Sequence, residues 1–404
     1  MTTTKSNRKV VLAVHGGAGV ILRSQLTPEM ESQYRSALAH AMSVGYNILR
    51  NDSNTPSISV ATDAAEAAVR CLEDCPLFNA GMGSVICQDG KIRMDAAIMN
   101  CSSGIVLNGA GRSNNQDDEN TTQNRNNRST PKPTAGAVAG VEGIKNPISL
   151  ARAVMDRTPH VMLIGKGAEE FASTLPTNVI ETRPSGYFWT ESRFRQLEKV
   201  QNEEAQDQLD TKAIPSMQMQ VQLDHAPNRG EHKFGTVGCV VAFPIDHGAN
   251  PQVLLASATS TGGMTNQRYN RVGDSPIIGA GTYANHLCAI SCTGHGEHFI
   301  RCVAAHDISA RLEYRHGYGS VGNEEVDKTE KSDRSALRIA AQEVILGTLM
   351  GDGEEAGGQG GVIAIDRDGN FVAEMNCPGM YHGWVYEDGE METRIFREEC
   401  IQNT

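Results

Sequence analysis

The chain has 404 residues, of which 39% are apolar and 21% are charged. This composition supplies enough apolar material for a sizeable core and carries too little charge for a disordered chain. A net charge of −12, from 36 basic and 48 acidic residues, argues against a nucleic-acid-binding protein. No apolar run approaches the roughly 18 residues of a membrane span. The 41 glycines and the low aromatic content of 5% favour an enzyme with tight loops close to a ligand.

No secretory signal is recognisable at the start of the sequence. We therefore expect a cytoplasmic protein whose ten cysteines stay reduced. The cysteines are scattered singly and no histidine pair completes a zinc pattern, so they are interpreted as buried small hydrophobic residues.

Strand and helix signals alternate along the first 172 residues. The apolar run at residues 10–14 predicts a buried strand that ends in a glycine turn. Thr27 and Pro28 predict the start of a helix that runs to about Arg50. Asp63 and Glu66 resemble a capping pair for a second helix that ends near Asp74. Further segments are predicted as a strand at 91–99, helices at 147–157 and 165–172, and a short apolar run at 161–164 between those two helices.

Residues beyond 235 change in character and are rich in β-branched residues. Strands are predicted at 236–243 and 252–257, and a hairpin at 360–373 with its turn at Asp368-Gly369. Helices are predicted between these strands, at 296–314 and 335–350. Strands and helices in both halves indicate a layered α/β protein.

Three polar segments interrupt these elements. Residues 112–133 contain no aliphatic or aromatic side chain, which predicts a disordered insertion. Residues 200–233 predict a long flexible linker, and 316–334 a surface insertion.

The linker ends abruptly at Gly235-Thr236, where a buried strand begins. This junction makes physical sense if the chain is cut there, because the freed α-amino group of Thr236 could act as the base for its own hydroxyl. Gly235 leaves the preceding carbonyl open to attack. From the dipeptide alone, an ordinary strand threonine is the favoured interpretation.

Seven short motifs reverse that preference. They are His15-Gly-Gly-Ala-Gly19, Pro76-Leu-Phe-Asn-Ala-Gly81, Gly136-Ala-Val-Ala-Gly140, Thr236-Val-Gly238, Thr259-Ser-Thr-Gly-Gly263, Arg271-Val-Gly-Asp-Ser-Pro276 and Thr293-Gly-His-Gly-Glu297. In these motifs and their order, the sequence resembles the plant-type asparaginase and isoaspartyl peptidase family of N-terminal-nucleophile hydrolases. The resemblance implies a four-layer αββα sandwich and self-cleavage between Gly235 and Thr236. It also implies an α-subunit of residues 1–235 and a β-subunit of 236–404 that form one catalytic domain, and an (αβ)₂ dimer.

The resemblance implies that Thr236 is the nucleophile and that Thr261 hydrogen-bonds and activates it. Thr293 and Asn79 would donate hydrogen bonds to the developing oxyanion, a task that suits neutral donors. Without the family, Thr261 and Asn79 would be interpreted as turn residues.

By the same resemblance, Arg271 holds the substrate α-carboxylate and Asp274 its α-amino group. A guanidinium fork suits a carboxylate and an aspartate suits an ammonium. Gly294 and Gly296 would add backbone contacts. Without the resemblance, a surface ion pair is the commoner interpretation of such a pair.

The segment from Leu72 to Met82 matches the family's sodium-binding loop. The resemblance implies a structural sodium ion, with no catalytic cofactor. Its oxygen ligands would come from Leu72, Glu73, Cys75, Phe78, Ala80 and Met82. His15, His295 and His298 form no metal triad by spacing and are assigned to structural hydrogen bonds.

The chain departs from the family pattern in the insertion at 112–133, in the long linker, and at Met99-Asn-Cys101 and Arg268-Tyr-Asn270, the last of which flanks the substrate loop. The favoured function is hydrolysis of L-asparagine and of β-aspartyl dipeptides, which are small-molecule substrates. A taspase-like endopeptidase that cleaves after aspartate is the alternative. Asp274 argues against it, because an internal residue of a protein chain has no free α-ammonium for this side chain to bind. A lysosomal glycosylasparaginase would need a signal peptide, and an unprocessed scaffold would need none of the site residues.

Overall fold

The computed structural model describes residues 8–51, 59–102, 106–107, 128–129, 132–211, 235–245, 252–315, 335–349 and 358–401. Its longer helices are α1 (Pro28–Asn51), α2 (Val60–Glu73), α3 (Pro147–Arg157), α4 (Gly165–Ser173), α5 (Glu191–Thr211), α6 (Gly296–Cys302), α7 (Ala304–Glu313), α8 (Ala336–Gln342) and α9 (Arg397–Ile401). Its strands are β1 (Val10–Gly19), β2 (Met94–Ser102), β3 (Val106–Leu107), β4 (Arg128–Ser129), β5 (Thr134–Val141), β6 (Met162–Ile164), β7 (Val237–Ile245), β8 (Gln252–Thr261), β9 (Thr282–Ala284), β10 (Cys288–Gly294), β11 (Gly360–Asp366), β12 (Phe371–Met375), β13 (Gly379–Tyr386) and β14 (Met391–Phe396).

Eight strands form the larger sheet, in the order β14-β13-β1-β7-β8-β2-β5-β6. Strand β7 lies at its centre and pairs antiparallel with both β1 and β8. Gly238 lies opposite His15 on one side and opposite Thr259 on the other. The start of β7 is therefore held between two buried strands.

Four strands form a second sheet, in the order β12-β11-β10-β9. All three pairings are antiparallel. Thr293 and Gly294 lie at the end of β10, opposite Gly361 and Gly360 of β11.

Apolar side chains form three clusters that bury both faces of both sheets. One face of the larger sheet packs against α1, α2 and α3 through residues such as Leu12, Ala64 and Ile98. Its other face packs against the second sheet, where Val240 meets Ile363 in one cluster. The outer face of the second sheet packs against α7 and α8. The predicted mixed α/β class is confirmed.

Several predicted elements are confirmed at their ends. The Thr27 hydroxyl accepts a hydrogen bond from the amide of Met30 at 3.2 Å, which is the expected helix cap. Helix α3 has the predicted bounds, and Gly369 forms the hairpin turn with a φ of 82°. Helix α2, however, begins at Val60, three residues before Asp63, and the Ser59 hydroxyl donates to the Asp63 carboxylate at 2.8 Å. The proposed Asp63–Glu66 capping pair is therefore wrong.

The predicted helix at residues 296–314 is two helices. Val303 separates α6 from α7 and has φ 49° and ψ 46°, the left-handed conformation. A β-branched residue rarely adopts this conformation, so the sequence pattern does not reveal the break. Helix α8 in turn continues as a π-helical segment over Glu343–Thr348.

The polar segments are partly described. Helix α5 continues to Thr211, so the prediction of a flexible linker from residue 200 is wrong for its first twelve residues. Within the predicted insertion at 112–133, strand β4 pairs with β3. The remaining residues of these two segments, apart from 132–133, and those at 316–334 lie outside the described residues.

All ten cysteines are free thiols, and six of them are buried. Among the described residues, no helix is long and apolar enough to cross a membrane.

Val303 generates a prediction about stability. Asparagine tolerates the left-handed conformation much better than valine, so Val303→Asn should stabilise the fold by about 1 kcal/mol. Urea unfolding measures the effect, with Val161→Asn, another exposed valine, as the control. An equal or lower stability of Val303→Asn would contradict the strain at this residue.

Candidate active site

Thr236 lies just before β7 and is buried, with 6% of its surface exposed. Strand β8 runs antiparallel to β7 and pairs Ser260 with Val237, which brings Thr261 next to Thr236. The Thr236 hydroxyl donates to the Thr261 hydroxyl at 3.3 Å. The predicted nucleophile and its predicted partner are thus in direct contact.

The Thr261 hydroxyl joins three groups. It donates to the carbonyl oxygen of Gly235 at 3.1 Å and accepts from the amide of Gly263 at 3.0 Å. One hydroxyl therefore contacts both the Thr236 oxygen and the carbonyl of the bond that the sequence predicts to be cut. This geometry can polarise that carbonyl while it positions the attacking oxygen.

Gly235 lies against the loop that carries Asn79. A Cβ at position 235 would lie 2.9 Å from Cβ of Asn79, which is closer than real Cβ contacts. The absent side chain therefore lets the backbone of Gly235 pack against Asn79.

Asn79 is buried and held at both ends of its amide. Its Nδ2 donates to the carbonyl oxygen of Gly263 at 2.7 Å, and its Oδ1 accepts from the amide of Val85 at 2.9 Å. The second Nδ2 hydrogen remains able to donate, because an amide carries two. The side chain is therefore fixed beside Gly235, and one of its N–H groups can still donate a hydrogen bond.

Thr293 is fully buried at the end of β10, and its hydroxyl accepts from the amide of Ala18 at 3.2 Å. This bond joins Thr293 to the glycine-rich end of β1, where the predicted glycine turn is instead part of the strand. Neither Thr293 nor Asn79 lines the pocket that contains Arg271 and Asp274.

That pocket is bounded by predicted site residues from four segments. Its lining comprises Gly235, Thr236, Thr261, Gly263, Met264, Arg271, Gly273, Asp274, Ser275 and Gly294. Gly296 stands behind it, because a Cβ there would lie 2.8 Å from Oδ1 of Asp274 and 3.0 Å from Nη2 of Arg271. Tertiary structure thus brings most of the predicted catalytic and anchoring residues to one place.

Arg271 forms an ion pair with Glu297 through two of its nitrogens and a hydrogen bond through the third. Nε and Nη2 donate to the two oxygens of Glu297 at 2.9 and 3.0 Å, and Nη1 donates to Oε1 of Gln267 at 3.3 Å. The sequence analysis missed Glu297 and Gln267 as partners. Glu297 lies within a quoted motif, but 26 residues separate it from Arg271, so spacing could not pair them.

Asp274 is buried with 4% of its surface exposed, and its Oδ2 makes no hydrogen bond with any residue that the structure describes. Burial raises its pKa to about 7, although Arg271 lowers it by charge attraction. A buried carboxylate with an unsatisfied oxygen at a pocket wall is suited to receive a cationic donor.

Asp95 supports the substrate loop from strand β2. Its Oδ1 accepts from the amide of Gly140 at 2.8 Å and its Oδ2 from the amide of Gly273 at 3.4 Å. Burial raises its pKa to about 6. The sequence analysis did not single it out, although a lone aspartate within the apolar run of β2 was the available signal.

His15 belongs to a buried hydrogen-bond chain behind Thr236. Its Nε2 lies 2.9 Å from the Ser291 hydroxyl, which lies 2.7 Å from the Thr259 hydroxyl. Burial lowers the pKa of His15 to about 3, so its ring is neutral. These contacts fit the structural assignment. His295 likewise faces the amide of Gln359, and His298 faces Arg301.

The loop that would hold sodium presents backbone oxygens around two glycines. A Cβ at Gly81 would collide with the Glu73 carbonyl oxygen, and one at Gly83 with that of Phe78. The carbonyls of Cys75 and Ala80 accept amide hydrogen bonds of 3.4 and 3.2 Å, which leaves each a lone pair. Within the described part of the chain, no three His, Cys, Asp or Glu side chains cluster as metal ligands. An all-oxygen loop of this kind fits a hard cation.

The Glu73 side chain acts as a structural group. Its Oε1 accepts from the Ser260 hydroxyl at 2.6 Å and from the amide of Ile148 at 3.0 Å. Burial raises its pKa to about 8. It therefore connects α2 to α3 and to Ser260 of β8, the residue that precedes Thr261.

A family model described as asparaginase matches residues 8–107 and 130–395. The chain belongs to the asparaginase family. It is 38% identical over 394 residues to the isoaspartyl peptidase of Escherichia coli, covering 97% of each protein. It is 34% identical over 378 residues to the plant-type L-asparaginase of Pyrococcus furiosus, covering 94% of this chain and 97% of that protein.

The isoaspartyl peptidase/L-asparaginase of Rattus norvegicus is 34% identical over 387 residues, covering 96% of this chain and 89% of that protein. The chain is accordingly an enzyme of a hydrolytic family. Residues 108–129, which the family model leaves unmatched, overlap the predicted insertion at 112–133.

The buried carboxyl of Asp274 predicts a pH dependence of stability. Because its folded pKa is about 7 and its unfolded value is 3.8, the folded state holds the proton longer. Stability should therefore fall as the pH rises from about 4 to 7. In the uncleaved Thr236→Ala background, Asp274→Asn should reduce the stability loss between pH 5 and pH 8 by about 2–3 kcal/mol.

Denaturant unfolding at the two pH values measures this difference, with Asp95 unchanged in both proteins. Equal pH dependence with and without Asp274→Asn would show that Asp274 ionises normally in the folded chain.

Proposed function

We propose that this enzyme is a self-processing threonine amidohydrolase. It would hydrolyse L-asparagine to L-aspartate and ammonia, and remove amino-terminal isoaspartyl residues from β-aspartyl dipeptides. One observation supports this most directly: the Thr261 hydroxyl lies between the Thr236 oxygen and the Gly235 carbonyl, beside a pocket that holds Arg271 and Asp274. The names of the relatives agree with these substrates.

Processing would begin with attack by the Thr236 oxygen on the carbonyl carbon of Gly235. The C–N bond to Thr236 breaks, the hydroxyl proton passes to the departing nitrogen, and Gly235 becomes an ester of Thr236. Water then hydrolyses the ester, which leaves a carboxylate on Gly235 and a free α-amino group on Thr236. That amine has a pKa near 8, so it can accept the hydroxyl proton in later turnovers.

In turnover, Thr236 would attack the side-chain carbonyl of the aspartyl unit and form a β-aspartyl ester. Asn79 and Thr293 would stabilise the oxyanion, and water would release aspartate. Arg271 would bind the substrate α-carboxylate. That carboxylate must either displace Glu297 or share the Arg271 guanidinium with it. Asp274 would bind the α-ammonium through its unsatisfied oxygen.

The fold proposal follows the same family. The three apolar clusters support a four-layer αββα sandwich, in which residues 1–235 and 236–404 form the two subunits of one catalytic domain. The (αβ)₂ assembly and the cytoplasmic location stay predictions.

We also propose a structural sodium site in the loop from Leu72 to Met82. Backbone carbonyls of Leu72, Glu73, Cys75, Phe78, Ala80 and Met82 would hold the ion. Bound there, it would rigidify the loop that carries Asn79, while the reaction itself uses the residues above.

Self-cleavage is tested by removing the nucleophile. Thr236→Ala should abolish both processing and hydrolysis, because both need the hydroxyl, while Thr236→Ser should retain part of each. Intact-mass analysis and amino-terminal sequencing should find a wild-type fragment that starts at Thr236. A full-length wild-type chain that still hydrolyses asparagine would refute the mechanism.

Substrate anchoring is tested at Asp274. Loss of its charge leaves a substrate ammonium unpaired, which costs roughly 2–5 kcal/mol, or on the order of 30- to 4,000-fold in kcat/KM. Asp274→Asn should therefore damage hydrolysis of asparagine and β-Asp-Leu alike, while self-cleavage continues. Asp156→Asn, a surface aspartate paired with Arg152, serves as the control.

The endopeptidase alternative is tested in the same assay. An amino-terminally acetylated peptide with an internal aspartate should resist the wild-type enzyme, because it lacks the free ammonium. If only that peptide is cut, the amidohydrolase proposal is wrong.

A further inference from the structure

A second pocket lies on the other side of Gly235. Its walls include Leu26, Tyr34, Phe78 and Tyr381. This pocket and the pocket of Arg271 and Asp274 share one lining residue, Gly235. If Gly235 leaves its place after cleavage, as the proposed function requires, the two pockets open into each other beside Thr236.

Arg193 of helix α5 lies in the wall of this second pocket. It is buried with 8% of its surface exposed, its Nε donates to the carbonyl of Gly83 at 2.7 Å, and its Nη1 donates to Oε1 of Gln196 at 3.0 Å. No carboxylate of the described residues forms an ion pair with Arg193. A guanidinium stays protonated even where burial lowers its pKa, so the pocket contains a positive charge without an anionic partner.

The rest of the pocket is aromatic and aliphatic. Tyr34 stacks on Tyr381 with ring centroids 4.1 Å apart, and Phe78 meets Tyr34 edge-on at 5.6 Å. The Tyr34 hydroxyl donates to the carbonyl of Leu77 at 3.3 Å, which fixes the stack. Leu22 also lines the pocket and is 39% exposed. An apolar wall next to one buried cation is complementary to an apolar group that carries an anion.

We infer that this pocket is the leaving-group subsite for β-aspartyl dipeptides, an inference that rests on the proposed function. With the aspartyl unit held by Arg271 and Asp274, the scissile amide lies at Thr236 and the second residue extends across the space that Gly235 vacates. The α-carboxylate of that residue pairs with Arg193, and its side chain packs against Tyr34, Phe78 and Leu26. Asparagine releases ammonia, which is too small to reach this subsite.

The substrate series tests the inference without any variant. Mature wild-type enzyme is assayed with asparagine, β-Asp-Leu, β-Asp-Gly and β-Asp-Leu carrying a carboxyl-terminal amide. We expect kcat/KM for β-Asp-Leu to exceed that for its amide by about 30-fold, the effect of unpairing a buried charge. β-Asp-Leu should also exceed β-Asp-Gly by about tenfold, because leucine buries apolar surface. Equal rates for the free and amidated dipeptides would overturn the inference.

Arg193→Gln tests the residue itself, since glutamine can still donate to Gly83 but carries no charge. It should lower kcat/KM for β-Asp-Leu at least ten times more than for asparagine, and should abolish the preference for the free carboxylate over the amide. Arg195→Gln, on the exposed side of the same helix and paired with Glu191, is the matched control. Intact-mass analysis checks that all of these proteins are processed to the same extent.

The outcomes are separable. An equal loss on asparagine and β-Asp-Leu would show that Arg193 is merely structural and would overturn the subsite. A wild-type enzyme that is processed but hydrolyses neither substrate would instead refute the proposed function.

Discussion

Backbone pairing between β7 and β8 is the constraint on which the site depends. Val237 pairs with Ser260, and this register places the Thr261 hydroxyl 3.3 Å from that of Thr236. A shift of one residue would turn each side chain to the opposite face of the sheet. Because β7 and β8 are central strands covered on both faces, the register is held by the core and not by the site itself.

Glycines then decide how closely other segments approach this pair. Gly235 allows its backbone to lie against Asn79, and Gly296 leaves room for Asp274 and Arg271. Gly238 packs against His15 and Ser291, so a side chain there would displace the buried chain behind Thr236. The site is thus assembled by close backbone contact, which explains why so many of its motifs contain glycine.

Buried charge gives the pocket its chemical character. Asp274 and Asp95 both lie in the interior, where burial raises their pKa values to about 7 and about 6. Arg271 lies next to them and is neutralised by Glu297. Such groups are costly to bury unless a partner or ligand completes them. The α-ammonium of an amino acid would complete Asp274, while its α-carboxylate would replace Glu297 or share Arg271 with it, and this supports the proposed substrate class.

The sequence by itself determined the α/β class and most element positions, because periodicity and caps are local signals. Its short motifs also singled out Thr236, Thr261, Arg271 and Asp274, which the fold brings to one pocket. It also marked the junction at Thr236, where a polar segment meets a β-branched strand. Tertiary structure alone decided the rest. The break at Val303 depends on a left-handed residue that propensity disfavours, and the continuation of α5 to Thr211 gives order to a polar segment that lacks apolar periodicity. The Arg271–Glu297 pair, the support from Asp95 and the pocket of Arg193 join residues far apart in sequence, and only the packing of whole layers brings such residues together.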